Sequence, residues 1–276
     1  MPGGDPPGPG ERAAIWDPGQ YLRYSGERSR PFFDLAARIR ADRPAAVYDL
    51  GCGPGHLTAA LADRWPDARV HGIDSDPSMI ESARQLLAGR PAVRGGGQLS
   101  FGPGDVRDWR PAGPADVIVS NAVLQWVPGH LELLPRWAGW LAAGGTLAFQ
   151  LPGNFDQPSH AALREMAAAP RWRPLLAGAA LNRQAAGPGR YAGLLSRAGC
   201  QVDAWETTYL HILPGEDPVL DWYKGTGLRP VLAALDAGQA EEFLAEYGAR
   251  MRAAYPRAPY GTPFPFRRVF VVARRP

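Results

Sequence analysis

The sequence predicts an α/β fold of the nucleotide-binding kind, a parallel sheet covered by helices on both faces. Three features carry that reading. Short apolar runs alternate with stretches of helical periodicity from Ala45 to Leu151, the order that builds parallel sheets. The first run leads into a glycine-rich turn, Asp49-Leu50-Gly51-Cys52-Gly53-Pro54-Gly55, and the second ends in an acid, Asp74. Beyond Pro152 the alternation stops and helical segments dominate, so the carboxyl-terminal half reads as a helical cap with late strands.

Element by element, the first ten residues hold eight Gly or Pro, and residues 1–15 read as a disordered leader. Phe32, Leu35, Ala36 and Ile39 recur at i, i+3, i+4 and i+7, which predicts an amphipathic helix stopped by Pro44. AAVYDL is the first strand, and HLTAALADRW sets Leu57, Leu61 and Trp65 on one helical face. RVHGID, residues 69–74, is the second strand; Asp76 caps and Pro77 opens the helix running to Leu87. LSFG is a short third strand and ADVIVSN, residues 115–121, the fourth. LELLPRWAGWLA reads as a helix stopped by Gly144-Gly145, and GTLAFQL as the fifth strand. CQVDAWETTYLHIL alternates as a strand near 201–211, DPVLDWYKGTGLRPVLAAL and AGQAEEFLAEYGARMRAAY are helical, and a last strand covers 264–275. The two late strands are expected to form an edge hairpin. One domain over 16–276 is expected, with a core over 16–152 and a mostly helical cap over 153–255.

Composition removes several function classes. The 276 residues are 45% hydrophobic and 21% charged, with a mean hydropathy of −0.25, a globular profile. No apolar run reaches the roughly 18–20 residues of a membrane helix. The amino terminus lacks the apolar centre of a signal peptide, so a cytoplasmic protein with no membrane partner is expected. Thirty basic and 27 acidic residues give a net charge of +3. They are scattered rather than gathered in a stripe, which argues against a nucleic-acid partner. Two cysteines, Cys52 and Cys200, are too few for a disulfide framework or a cysteine-built zinc site, and no metal is expected. The oligomeric state stays open, a monomer included.

Glycines at a strand-to-helix turn permit positive φ and close approach of a ligand, and the helix start offers N–H groups to an anion. A dinucleotide site has G-x-G-x-x-G; here the third glycine comes one residue early, and Asp49 stands two residues before the first. Asp74, ending a strand about 20 residues past the turn, is placed to accept both hydroxyls of a ribose. Asp105, in GPGDVRDW after the third strand, is placed to accept from an adenine amino group. Either acid also fits an ordinary turn, and Met79 fits the adenine face or its own helix core.

DLGCGPG, GIDSDPSMI, GPGDVRDW and VIVSNAVLQW, in that order, resemble the motifs of class I S-adenosylmethionine-dependent methyltransferases. That resemblance implies a Rossmann-like, seven-stranded, mostly parallel sheet, with S-adenosyl-L-methionine as cofactor. It assigns Asp49, Gly51, Cys52 and Gly53 to the methionine end, Asp74 and Ser75 to the ribose, and Asp105 and Val106 to the adenine. Tyr21, Arg30 and Met79 join the cofactor site, Asn121 lines the wall beside the sulfonium, and Gln125 and Trp126 face the transfer site. Trp126 fits plain core equally well. YLRYSGERSRPFFDLAARI, LPGNFDQPSHAALRE, GCQVDAWETTYLHILPGEDPVLDW, TGLRPVLAAL and FPFRRVFVVARR extend the likeness to trans-aconitate 2-methyltransferases, from about Trp16 to Arg275. The Gly/Pro leader and the PAVRGGGQ loop are the departures, and neither touches a motif.

The implied reaction is O-methylation of one carboxylate of trans-aconitate, giving a monomethyl ester and S-adenosylhomocysteine. A carboxylate with a pKa of about 4 is already ionised at neutral pH and needs no base, so catalysis reduces to holding the reactants in line. A tricarboxylate calls for arginine, whose guanidinium pairs carboxylates through two hydrogen bonds. Candidates are Arg28 and Arg30 by the first helix, Arg229, and Arg267 or Arg268 by the last strand, with His160, Tyr209 and His211 as donors. Each also fits a salt bridge or a structural role. Two rivals remain open: a related methyltransferase acting on another small acid or secondary metabolite, and a non-catalytic module that senses the cofactor. A nicotinamide-dependent oxidoreductase is disfavoured by the glycine spacing.

Overall fold

The computed structural model describes residues 25–90, 95–179, 181 and 184–276; Tyr21 and the leader lie outside them. The first half runs α1 (Ser25–Ala37), β1 (Ala46–Leu50), α2 (His56–Arg64), β2 (Arg69–Asp74), α3 (Pro77–Ala88), β3 (Gln98–Pro103) and β4 (Ala115–Asn121). A single 3-10 turn (Leu124–Trp126), α4 (His130–Gly139) and β5 (Leu141–Pro152) follow. The second half runs α5 (Pro158–Ala168), α6 (Arg173–Leu176), α7 (Pro188–Arg197), β6 (Gln201–Leu213), α8 (Pro218–Lys224), α9 (Arg229–Ala234), α10 (Ala237–Ala254) and β7 (Thr262–Arg274).

The seven strands are ordered β3-β2-β1-β4-β5-β7-β6. β1 to β5 pair in parallel and β7 runs antiparallel to β5. The strands read as near-continuous apolar runs because both sheet faces are buried. Val47, Val117, Val119, Ala148 and Phe270 pack with Phe32 and Leu35 of α1. Leu50, Ile118, Leu147, Phe149, Val269 and Val271 pack with Trp137 of α4 and Tyr191 of α7. β1 and β4 lie side by side at the centre, and the chain works outward from them in opposite directions. Ligands of open α/β sheets bind beyond the carboxyl ends of the strands at such a switch.

The chain divides into two compact units. One, built on the sheet, contains Ser25–Asn154, Arg183–Tyr209 and Phe266–Pro276. The other contains Phe155–Asn182 and Leu210–Pro265 and is mostly helical; α10 packs there on α5 and α8. Its centre is aromatic, with Trp172, Trp222, Tyr223, Phe243, Tyr247 and Phe264 buried. The helical unit is narrower than the sequence suggests, because α7 and most of β6 belong with the sheet.

Three local expectations change. Leu141 and Ala142 begin β5 rather than ending a helix, and Leu141 pairs with Ala115. Gly144, at φ 77, lies where β5 shifts register against β4, so the glycine pair makes an irregularity within a strand. β7 starts at Thr262, with Pro263 and Pro265 alternating with buried Thr262, Phe264 and Phe266, which keeps the missing N–H groups on one side. β6 and β7 are sheet neighbours, but α8 to α10 lie between them in the chain, so no tight turn joins them.

Candidate functional site

The residues after β1 make a bend that glycine alone accommodates. Gly51, Gly53 and Gly55 have φ of 81, 56 and 86°. A Cβ on Gly51 would overlap Val123, and one on Gly55 would lie 2.7 Å from Phe101. Gly53 has open space beside it. The Gly51 and Cys52 N–H groups donate to the Ile73 carbonyl at 2.7 and 2.9 Å, tying the bend to the end of β2. Cys52 is buried; that burial and the nearby Asp49 and Asp74 charges push its thiol pKa up, which makes it a poor nucleophile.

Asp49, the second-last residue of β1, is 2% exposed. Its Oδ2 accepts from Thr58 Oγ1 at 2.6 Å, while the buried Oδ1 has no partner among the described residues. Burial raises its carboxyl to about 6, against the Thr58 hydrogen bond and with help from the charge of Asp74. Asp74 accepts from the Gly53 N–H on Oδ2 and from the Asp76 N–H on Oδ1, both at 2.9 Å. Each oxygen keeps acceptor capacity, and burial raises this carboxyl also. Ser75 beside it is exposed and Met79 buried. Asp105 is engaged on both oxygens by Arg107, and that pairing holds its carboxyl below the usual range. Val106 packs with Ile73 and Leu124 in the core.

Past β4 the site changes character. Asn121 Oδ1 accepts from Gln150 Nε2 at 2.5 Å, and Gln150 Oε1 accepts from Arg268 Nη1 at 3.4 Å. Gln150 and Arg268 are 1% and 5% exposed. Ala122 holds φ 57, left-handed for a residue with a Cβ. It is pinned at both ends: its N–H donates to the Gln150 carbonyl at 2.9 Å, and its carbonyl accepts from Gln125 Nε2 at 2.6 Å. Such strain is kept where surrounding contacts over-determine the backbone, often at functional sites. Gln125 Oε1 is buried without a partner among the described residues, and Trp126 next to it is 39% exposed.

The two adjacent arginines of β7 face opposite ways, because strand residues alternate. Arg268 lies on the α1 face with Phe270, the face of Asp49, Asn121 and Gln150. Arg267, which the sequence offers as an acid anchor, lies on the other face. It donates to the Gly153 carbonyl at 2.7 Å and stands 3.6 Å from Glu206. The donor expected in Tyr209 is engaged: its one hydroxyl proton goes to Asp34 Oδ2 at 2.6 Å. Arg30 lies 5.0 Å over that ring and 4.0 Å from Asp34, so it is not held at the glycine bend. The side chain of Arg28 lies outside the described set. In the helical unit His160 sits edge-on to Tyr223 at 5.3 Å and His211 stacks on Trp222 at 5.3 Å, while Arg229 opens α9. Gln150 is the residue that sequence reasoning missed. Its signal is a lone amide inside the apolar run GTLAFQL.

A family model described as a methyltransferase domain matches residues 47–145. Over 270 residues the chain is 57% identical to a trans-aconitate 2-methyltransferase of Streptomyces coelicolor, covering 96% of this chain and 88% of that one. The chain belongs to the trans-aconitate 2-methyltransferase family. Further members are similar along nearly their whole length. The Streptomyces avermitilis enzyme is 55% identical, covering 94% of this chain and 97% of its own. That of Mycobacterium tuberculosis is 47% identical, covering 94% and 96%. The family makes the chain an enzyme, a class I methyltransferase.

Solved structures show the fold. A Haemonchus contortus phosphoethanolamine N-methyltransferase 2, in complex with S-adenosyl-L-methionine, matches with a TM-score of 0.58 at 12% identity, over 94% of this chain and 56% of that one. The [4+2]-cyclase SpnF matches at 0.55 and 15% identity, over 90% and 81%. One scaffold thus carries different chemistries, and the reaction must be argued from the site.

Proposed function

We propose that this chain transfers a methyl group from S-adenosylmethionine to one carboxylate of trans-aconitate, giving the monomethyl ester and S-adenosylhomocysteine. The observation that carries this reading is the 57% identity to a relative of that name over 96% of the chain, which extends beyond the cofactor motifs into the helical unit. S-adenosylmethionine supplies a methyl group activated by its sulfonium. The residues after β1 and β4 fit such a ligand. Asp49 Oδ1 and Gln125 Oε1 are buried acceptors in need of donors, and the open side of Gly53 admits a ligand against the backbone.

In this reading Asp49 takes the ammonium end, with Gly51, Cys52 and Gly53 lining it. Asp74 and Ser75 take the ribose. Asp105 and Val106 take the adenine, whose amino group competes with Arg107 for the carboxylate; Met79 supports that side. Asn121, Gln125 and Trp126 border the transfer position. The acid is ionised at neutral pH and needs no base, so the protein's task is to hold it. Arg268 is the proposed anchor, since it is buried and shares a face with Asn121. Arg28 is proposed for a second carboxylate. A cytoplasmic setting accords with two free, buried cysteines; among the described residues no helix is long and apolar enough to cross a membrane.

The test incubates the protein with S-adenosylmethionine and a panel of di- and tricarboxylates, with products followed by mass spectrometry. The reading expects trans-aconitate to gain one methyl group much faster than its neighbours. Faster gain on another acid would move the substrate. Cofactor binding without any methylated acid would overturn the reaction.

A further inference from the structure

Arginine has N–H donors and no acceptor, and this fact sets the direction of the whole polar row that runs from the middle of β7 across the ends of β5 and β4. Because Arg268 Nη1 points at Gln150, the Gln150 amide must turn its oxygen toward β7 and its NH2 toward β4. Asn121 stands directly opposite Gln150 in the β4–β5 register. Facing an NH2, it must offer Oδ1, and its own NH2 is turned outward, with no hydrogen bond to a described residue. Ala122, pinned in its left-handed conformation by Gln150 and Gln125, removes the backbone freedom that would let Asn121 readjust. The row therefore starts on a buried cation and ends in donors.

We propose that Gln150 is a positioning residue: linking Arg268 to Asn121, it fixes Asn121 with its NH2 outward and so selects an anionic oxygen, rather than an amine, as methyl acceptor. The inference rests on the carboxylate reading above. Asn121 holds one oxygen of the reacting carboxylate while the other attacks the methyl carbon. The new O–CH3 bond forms as the S–CH3 bond breaks, and its electron pair leaves with the sulfur.

Two substitutions separate positioning from mere support. Gln150→Glu keeps the contact to Arg268 and strengthens it, but a carboxylate cannot donate, so Asn121 must turn its NH2 inward and present Oδ1 to the acid. Gln150→Leu breaks the row and leaves Asn121 able to turn either way. The KM for the acid should rise about 30-fold in Gln150→Glu and about 5-fold in Gln150→Leu, the span of one charge-assisted hydrogen bond lost and partly lost. S-adenosylhomocysteine affinity by calorimetry should stay within about 2-fold in both. A purely structural role predicts the reverse order, since Glu preserves shape and polarity better than Leu. That reverse order, or unchanged KM in Gln150→Glu, would overturn the proposal. The amide polarity is read independently on 15N-labelled protein. In the parent the Gln150 NH2 protons exchange slowly and those of Asn121 quickly, and in Gln150→Glu the Asn121 protons become protected. Fast exchange at Gln150 in the parent overturns the inference; protected Gln150 protons with no acid methylated would support the row and defeat the carboxylate reading instead.

Discussion

The two halves of the sheet's carboxyl-terminal edge carry opposite hydrogen-bonding character. From β3 to β1 the strand ends lead to acceptors: Asp105, Asp74 and Asp49, the last with a buried oxygen that has no partner among the described residues. On the β4 to β7 side the row offers donors, the NH2 of Asn121, set by Gln150, and the buried guanidinium of Arg268 in mid-β7, with the buried Gln125 Oε1 as the acceptor among them. The boundary falls between β1 and β4, where the strand order switches. In the proposed reading one side takes a ligand that brings hydroxyls and a positive end, and the other takes an anion. A reaction between a cationic methyl donor and an acid needs that division, and the two sides are open to separate disruption.

Asp49 gives the largest expected effect. Its folded-state carboxyl, at about 6, lies above its ordinary value of 3.8, so the folded protein holds that proton more tightly. The stability this provides is complete below about pH 4 and is lost as pH rises through about 6. At pH 7 the ligand-free protein carries a buried charge, and Asp49→Asn should stabilise it by up to roughly 3 kcal/mol. Thermal melts should show that advantage vanish near pH 4, while S-adenosylmethionine affinity falls. A variant that is less stable at pH 7 would contradict the burial argument. Asp74→Ala comes next: one ribose acceptor lost should weaken S-adenosylmethionine about 10- to 100-fold in calorimetry, with acid affinity unchanged. Smallest is Tyr209→Phe, which removes the hydrogen bond to Asp34 on the sheet face and should lower stability by about 1 kcal/mol in chemical denaturation, with little change in either ligand.

The positions of the acids on the acceptor side are legible in the sequence, and the arrangement of the donor side is not, for a physical reason. Asp49 and Asp74 stand at the ends of short apolar runs, each two residues from a glycine, so strand, turn and acid occur within one local window. Gln150 depends on its neighbours. Its meaning requires β4 on one side and β7 on the other, and β7 lies more than a hundred residues away in the chain. Choosing between Arg267 and Arg268 requires the pleat of β7, where a shift of one residue exchanges the faces. The glycine pair at 144–145 misleads because helix stops and strand irregularities draw on the same residue. Nothing in its composition marks Ala122 as left-handed; the pinning hydrogen bonds come from β5 and the 3-10 turn.

The division of labour between the two halves is tested most directly by calorimetry on Arg268→Met, which keeps side-chain length and removes the charge. Trans-aconitate is titrated into protein saturated with S-adenosylhomocysteine, and S-adenosylhomocysteine alone into the free variant. The account predicts acid affinity lower by about 100-fold, the range for one buried, hydrogen-bonded charge pair, with S-adenosylhomocysteine bound as in the parent. Equal loss of both ligands, or an acid bound as tightly as before, would contradict it.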